Sequence, residues 1–496
     1  MVKNFILFNP DELRADALGC YGNPAAHTPN LDKLAEEAVR FEQCHVQHTV
    51  CTPSRCSFIT GLYPHNSGKR TLWNVIGEDE PHLFQYLCDA GYEIHWWGKN
   101  DMLSQNAAIK CLKSIDVIPD SILKECTEWE AHPICKPDGK FYDSFLFESN
   151  TSSIHKHPDF VNVRGAIEFL KSKPEKPFCL YLPLFFPHPP YCTTKDFKDI
   201  VDKDKIPSLR PVVERGKPGF YNLIRKYRGL DRLNEDDFRE IRKVYLEQTA
   251  MIDYMVGEII RTLNDTGLAE NTAFLFFSDH GDWAGDYGLV EKWPSGLDDT
   301  LTRVPFIIKT PDCKKGHVVK EPIEMFDMMA TVMELAGIKA KHTNFARSLV
   351  PQLRGVAGDP DRAVFTEGGY DVHEPHCFEG SGLKYDISLQ NSTGNIYYKK
   401  GLQQQEHPDS VCRSVMIRTK EFKLVIRTNW ENEFYDLKLD PQELSNQYNS
   451  EAYKDIIAGL EDRLLQWYIR TSDTVPFERQ PRHFFNDTKS KINGQI

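Results

Sequence analysis

The sequence predicts an α/β protein with a large, mostly parallel central sheet flanked by helices. A smaller carboxy-terminal α+β subdomain with antiparallel strands and a late helix is expected to follow. Three observations predict this. Short apolar runs alternate with helical patterns through the first two thirds of the chain, as in buried parallel sheets. Beyond about Tyr370 the runs shorten and two of them pair as a hairpin. At 496 residues the chain is long enough for one large core and a second, smaller one. The expected division is residues 1–370 and 371–496.

Phe5–Phe8 is the first buried-strand candidate. Thr28-Pro29 then opens a helix whose Leu31, Leu34, Ala35 and Ala38 share one face. Tyr92–Trp97, Phe178–Phe186, Ala273–Phe277 and Val304–Ile308 read as further strands. Between Phe178–Phe186 and Ala273–Phe277, the residues Ile241, Val244, Tyr245, Met251, Ile252, Met255, Ile259 and Ile260 keep helical spacing, and Gly267 closes that helix. The segments Met102–Asp159 and Tyr191–Asp237 are polar and charged, without clear periodicity. They read as excursions that either wall a pocket or decorate the surface. Ser414–Thr419 and Phe422–Arg427 make the hairpin, and Tyr453–Tyr468 the late helix.

A net charge of −12 argues against nucleic acid as a partner. An anionic substrate would therefore need a local cationic pocket. Thirteen cysteines without a Cys-x-x-Cys pair indicate neither a disulfide framework nor a zinc ribbon, and so a reducing compartment. The amino-terminal stretch turns acidic too soon for a secretory leader. The apolar run Phe178–Phe186 is too short to span a bilayer. The expectation is a cytoplasmic protein without a membrane partner, for which an oligomer is possible.

The most informative stretch is Cys51-Thr-Pro-Ser-Arg-Cys-Ser-Phe-Ile-Thr-Gly61. Thr52 suits an N-cap, Pro53 the first helical position and Gly61 the stop. Cys51 would then sit where unpaired backbone N–H groups and the helix dipole favour an anion. The alternative is an ordinary buried cysteine at a helix start. The other reactive side chains cluster after the predicted strands. Asp11 and Glu12 follow the first, Lys99 follows Tyr92–Trp97, His188 follows Phe178–Phe186, and Asp279 and His280 follow Ala273–Phe277. Open α/β sheets bind ligands beyond the carboxyl ends of their strands, so these groups would converge on one crevice.

The Cys-x-Pro-Ser-Arg signature with its Thr60-Gly61 resembles that of the sulfatases of the alkaline phosphatase superfamily. So do the segment from Asn4 to Gly22, Thr28-Pro-Asn-Leu-Asp, Gly98-Lys99, Pro187-His188-Pro189, Ser278-Asp-His-Gly281, Lys292, Arg303-Val-Pro-Phe-Ile and the late Phe434-Tyr-Asp-Leu. The resemblance implies conversion of Cys51 to formylglycine by a formylglycine-generating enzyme. It also implies a divalent cation held by Asp11, Asp279, His280 and the modified Cys51. Carboxylate oxygens suit Ca²⁺ or Mg²⁺, and the imidazole brings Mn²⁺ into range. Glu12 is a further ligand or a carboxylate just behind the ligands. By the same resemblance Arg55 holds the formylglycine hydrate, Lys99 and Lys292 grip the sulfate, and His188 protonates the leaving oxygen or binds sulfate.

The family often has Lys-Trp-His where this chain has Lys99-Asn100-Asp101, so Asp101 brings a negative charge toward the substrate. Asn74 is read as a further hydrogen-bonding residue. His373 and His376 are read either as helping to recognise the alcohol half or as a solvated loop. The expected activity is hydrolysis of a sugar, aryl or steroid sulfate monoester. The alternatives are a phosphonate or phosphate ester hydrolase, or an inactive protein that binds sulfated ligands.

Overall fold

The computed structural model describes residues 2–124, 129–371, 373–374, 396–474 and 491. Its main sheet has nine strands. Across the sheet run His317–Val319, Val39–His45, Arg303–Lys309, Thr272–Phe277, Asn4–Asp11, Phe178–Pro187, Glu93–Trp96 and Ser114–Ile115, with Ile323–Glu324 also on Val39–His45. Pairing is parallel except along Arg303–Lys309, which is antiparallel to both its neighbours. The strands predicted for this sheet are all present; four of the five run longer than predicted, and Tyr92–Trp97 is shorter by a residue at each end.

Alternation along the central strand shows why the sheet needs cover on both faces. Phe5 and Leu7 enter one core with helices Cys51–Thr60, Leu83–Asp89 and Asp327–Leu335. Ile6 and Phe8 enter the other, with Pro158–Lys171 and the 32-residue helix Glu235–Thr266. That long helix starts in a capping box between Asn234 and Asp237 and stops at Gly267, whose φ of 79° suits a residue without Cβ.

The second sheet is antiparallel: Val364–Gly368, Ser414–Arg418, Phe422–Arg427, Glu433–Asp436. Its first strand is drawn from the chain ahead of residue 371. Helix Lys454–Thr471 ties this unit to the main domain through Trp467, which stacks on Phe365 at 4.5 Å and meets the Tyr63 ring edge-on at 4.8 Å. Among the described residues every cysteine is free, and no helix is long and apolar enough to cross a membrane.

Candidate active site

Four neighbouring strands of the main sheet end at one place. Asp11 closes the central strand with Glu12 beyond it, Asp279 and His280 follow Thr272–Phe277, Lys99 follows Glu93–Trp96, and His188 follows Phe178–Pro187. The carboxyl-end rule for open sheets therefore holds here. Helix Cys51–Thr60 points its amino terminus at the same spot. It begins two residues earlier than the sequence predicts: Val50, extended at φ −125° and ψ 144°, is the cap, and Thr52 lies within the first turn. Pro53 is tolerated there because first-turn N–H groups have no partner inside the helix. Cys51 is thus the first helical residue, and Gly61 closes the helix at φ 70°.

Cys51 Sγ lies 3.1 Å from His280 Nε2, 3.6 Å from Asp11 Oδ1 and 3.8 Å from Lys99 Nζ. Arg55, one helical turn on and fully buried, donates from Nε to Asp279 at 2.7 Å and from Nη2 to Asp11 at 3.0 Å. Its contacts are these two carboxylates, and Nη1 has no partner. Lys99 Nζ bridges Asp11 at 2.7 Å and Asp101 at 2.8 Å. Lys292 Nζ donates to Glu12 at 2.7 Å and to His188 Nε2 at 2.9 Å. Glu12 holds a left-handed backbone, φ 68°, pinned at its N–H by Asp279 and at its carbonyl by the Tyr245 hydroxyl. A bulky residue adopts that conformation only where its surroundings enforce it, commonly at functional sites.

Hydrogen bonds assign the two histidine tautomers. The Gly281 carbonyl, 3.0 Å away, takes the Nδ1–H of His280, leaving the Nε2 lone pair toward Cys51. The Pro189 carbonyl, at 2.8 Å, does the same for His188, whose Nε2 accepts from Lys292. Burial, then Lys292, hold the His188 imidazole well below its ordinary range, so it is neutral. Burial likewise lowers His280. Burial would raise the Asp11 carboxyl, but Lys99 and Arg55 outweigh it and hold it well below the usual carboxylate range. For Glu12 burial prevails over the pull of Lys292 and lifts the carboxyl well above that range. Burial and then Asp11 push the Cys51 thiol far up. An unmodified Cys51 is therefore a protonated thiol and a poor nucleophile.

These groups fit a divalent cation. Asp11, Cys51, Asp279 and His280 each offer a ligand atom, all within 4.8 Å of one another, and Asp11, Glu12 and His188 form a second such group. Glu12 Oε1 is buried without a partner, a cost that a bound cation would remove.

A cavity of about 430 Å³ opens over Cys51, Lys99, His188 and Lys292, and Asp101 lines it too. Asn74 does not: its side chain is exposed, while the preceding Leu72 and Trp73 face the cavity. His373 is exposed in a turn with its N–H on Asp371, away from the cavity wall. His376 falls outside the described residues. Nor do the described residues of the two polar excursions supply this wall. It comes from Leu72-Trp73, from Phe185 to Pro190, and from Ile396, Tyr397 and helix Tyr398–Glu406. The sequence reading missed Trp73, Phe185, Glu291, Tyr397 and Lys400. Only Glu291 carried a signal, as the neighbour of Lys292.

The comparisons with known proteins agree with this geometry. A sulfatase family model matches residues 3–338, and one for the carboxy-terminal region of N-sulphoglucosamine sulphohydrolase matches residues 369–470. The chain belongs to the sulfatase family of the alkaline phosphatase superfamily. An arylsulfatase of Clostridium perfringens is 28% identical over 507 residues, 94% of each chain. The iduronate 2-sulfatase of Mus musculus is 30% identical over 429 residues, 78% of this chain and 74% of its own. In fold, the phosphonate monoester hydrolase of Agrobacterium radiobacter superposes with a TM-score of 0.76 at 20% identity, over 97% of this chain and all of that one.

Proposed function

We propose that this protein hydrolyses a sulfate monoester to an alcohol and inorganic sulfate, with position 51 as its catalytic group. The observation that carries the reading is Cys51 itself. It sits at a helix mouth against Asp11, Lys99 and His280, with its thiol held protonated by burial. As a thiol it is inert. Converted to formylglycine, it would supply a hydrated aldehyde hydroxyl as nucleophile where Sγ now stands, with a second hydroxyl on the same carbon for sulfate release. Asp11, Asp279 and His280, with Glu12, would hold a divalent cation, Ca²⁺ by the preponderance of carboxylates. Bound there, it would supply positive charge that acidifies a hydroxyl and neutralises sulfate.

The chain's own residues do the rest. Lys99 and Lys292, which line the cavity with Cys51, take the sulfate oxygens, and charge placed ahead of the reaction is usually the largest catalytic contribution. Arg55 balances the two carboxylates it clamps and fixes their orientation. His188 Nε2 carries no proton in the resting site, so the proton for the leaving oxygen starts on Lys292 Nζ, 2.9 Å from it.

His280 in the ligand set favours a second reading, a phosphonate or phosphate ester hydrolase. Turnover of 4-nitrophenyl sulfate, 4-nitrophenyl phosphate and a phenyl phosphonate monoester separates the two. The sulfatase reading expects the highest kcat/KM on the sulfate ester. A higher value on either phosphorus ester would replace it.

A further inference from the structure

Sulfate chemistry leaves the alcohol half unspecified, but the cavity wall is selective. Beyond the charged residues, much of it is built from Leu72, Trp73, Phe185, Ile396, Tyr397 and Leu402. Leu72 and Phe185 are each 37% exposed, unusual for large apolar side chains beside a polar centre. Apolar surface left open at a cavity needs an apolar occupant. The aromatic rings stand beside the groups assigned to the sulfate ester. Phe185 and Tyr397 have centroids 4.9 and 6.4 Å from the His188 ring, and Lys99 Nζ sits 5.7 Å from the Phe185 centroid.

Charge on the wall points the same way. Each cation lining the cavity among the described residues already faces a carboxylate: Lys99 has Asp11 and Asp101, Lys292 has Glu12, and Lys400 has Glu291 at 2.8 Å. The ester sulfate competes for the first two. A second anion on the substrate would find Lys400 committed and Asp101 facing it, and like charges brought together across a binding surface disfavour the complex strongly.

Resting on the sulfatase reading above, we propose that the alcohol half is uncharged and aromatic, and that Asp101 turns away esters bearing a second anionic group. The test compares leaving groups of one kind, on protein whose Cys51 conversion is verified. The substrates are 2-phenylethyl sulfate, its 4-carboxy derivative and glucose 6-sulfate, all primary alkyl sulfates, with 4-nitrophenyl sulfate as reference.

Wild-type protein should prefer 2-phenylethyl sulfate over each of the other two alkyl esters by roughly tenfold or more in kcat/KM, the size of one modest discriminating contact. Asp101→Asn also touches Lys99, so the informative readout is a ratio. Carboxylated over parent ester should rise at least about fivefold, whatever happens to absolute rates. Glucose 6-sulfate matching the phenylethyl ester would overturn the aromatic assignment. A carboxylated ester within about twofold of its parent, or an Asp101→Asn ratio that stays put, would overturn the role of Asp101. Either result beside good 4-nitrophenyl sulfate turnover sinks only this inference. No turnover of any sulfate ester sinks the sulfatase reading and this one with it.

Discussion

At the residue scale the site is a set of buried charges that balance one another, and the balance tells which substitutions hurt. Asp279 accepts from Arg55 Nε and from the Glu12 and His280 backbone N–H groups while facing the ligand cluster. Asp279→Ala should therefore lose bound divalent metal in elemental analysis and most activity with it; full metal occupancy in that variant would refute the ligand assignment. Lys292→Met should lower kcat/KM by about two to three powers of ten, the usual effect of one preorganised charge. Read as a sequence, the lysines look like a cation cluster whose loss would relieve repulsion. The structure corrects that, because Lys292 neutralises Glu12 and touches Glu291. Its loss leaves Glu12 without its cation, so chelator-treated Lys292→Met should melt lower wherever Glu12 is ionised, by a share of the ~3–5 kcal/mol that breaking a buried pair costs. An unchanged melting temperature would show the pair contributes nothing to stability. The strand-end acids, lysine and histidines were legible in the sequence because each follows an apolar run. Lys292 was legible only through resemblance, and Trp73 and Tyr397 not at all, since nothing local marks a side chain as a cavity wall.

At the scale of elements, the long helix Glu235–Thr266 shows how burial creates pH dependence. Glu247 accepts the Asp199 N–H at 2.7 Å and so pins that loop to the helix. Burial lifts its carboxyl to about 7, against the opposing pull of Lys243. A carboxyl raised in the folded state holds its proton longer than in the unfolded chain. Its folded form is therefore least penalised below the unfolded value near 4.5, and stability is lost as pH climbs from there to about 7. Glu247→Gln keeps one acceptor and removes the charge. It should raise the melting temperature at pH 8 and change it little at pH 5; equal shifts at both would rule out this titration. Helix periodicity and its Gly267 stop were readable in advance. The start of Cys51–Thr60 was missed by two residues because the extended backbone of Val50, not a capping side chain, sets it.

At the scale of the whole molecule, the small sheet is fastened to the large domain by buried ion pairs and a shared core. Asp299 of the main domain meets Arg418 at 3.0 Å and Lys423 at 3.1 Å on the antiparallel sheet, and Lys217 bridges Asp298 to Glu433. Ile417, Leu424, Phe434 and Trp467 pack in one core with Phe5, Leu7, Tyr63 and Phe326. The two units should accordingly unfold in a single urea transition. Asp299→Ala should shift its midpoint down by a share of the about 3–5 kcal/mol that breaking a buried pair costs, because Arg418 loses its carboxylate while Lys423 keeps Glu443. Two separated transitions in the wild type would contradict this. The sequence foretold the change of pattern near Tyr370 but not that Val364–Gly368 already belongs to the small sheet, since strand pairing across some fifty intervening residues leaves no local trace.

The central claim, that position 51 acts only after modification, has one direct test. Peptide mass spectrometry would quantify formylglycine at position 51 in protein from several expression hosts, alongside turnover of 4-nitrophenyl sulfate. The account predicts that activity rises in proportion to the converted fraction and vanishes in wholly unmodified protein. Full activity from protein carrying only the thiol at Cys51 would contradict it.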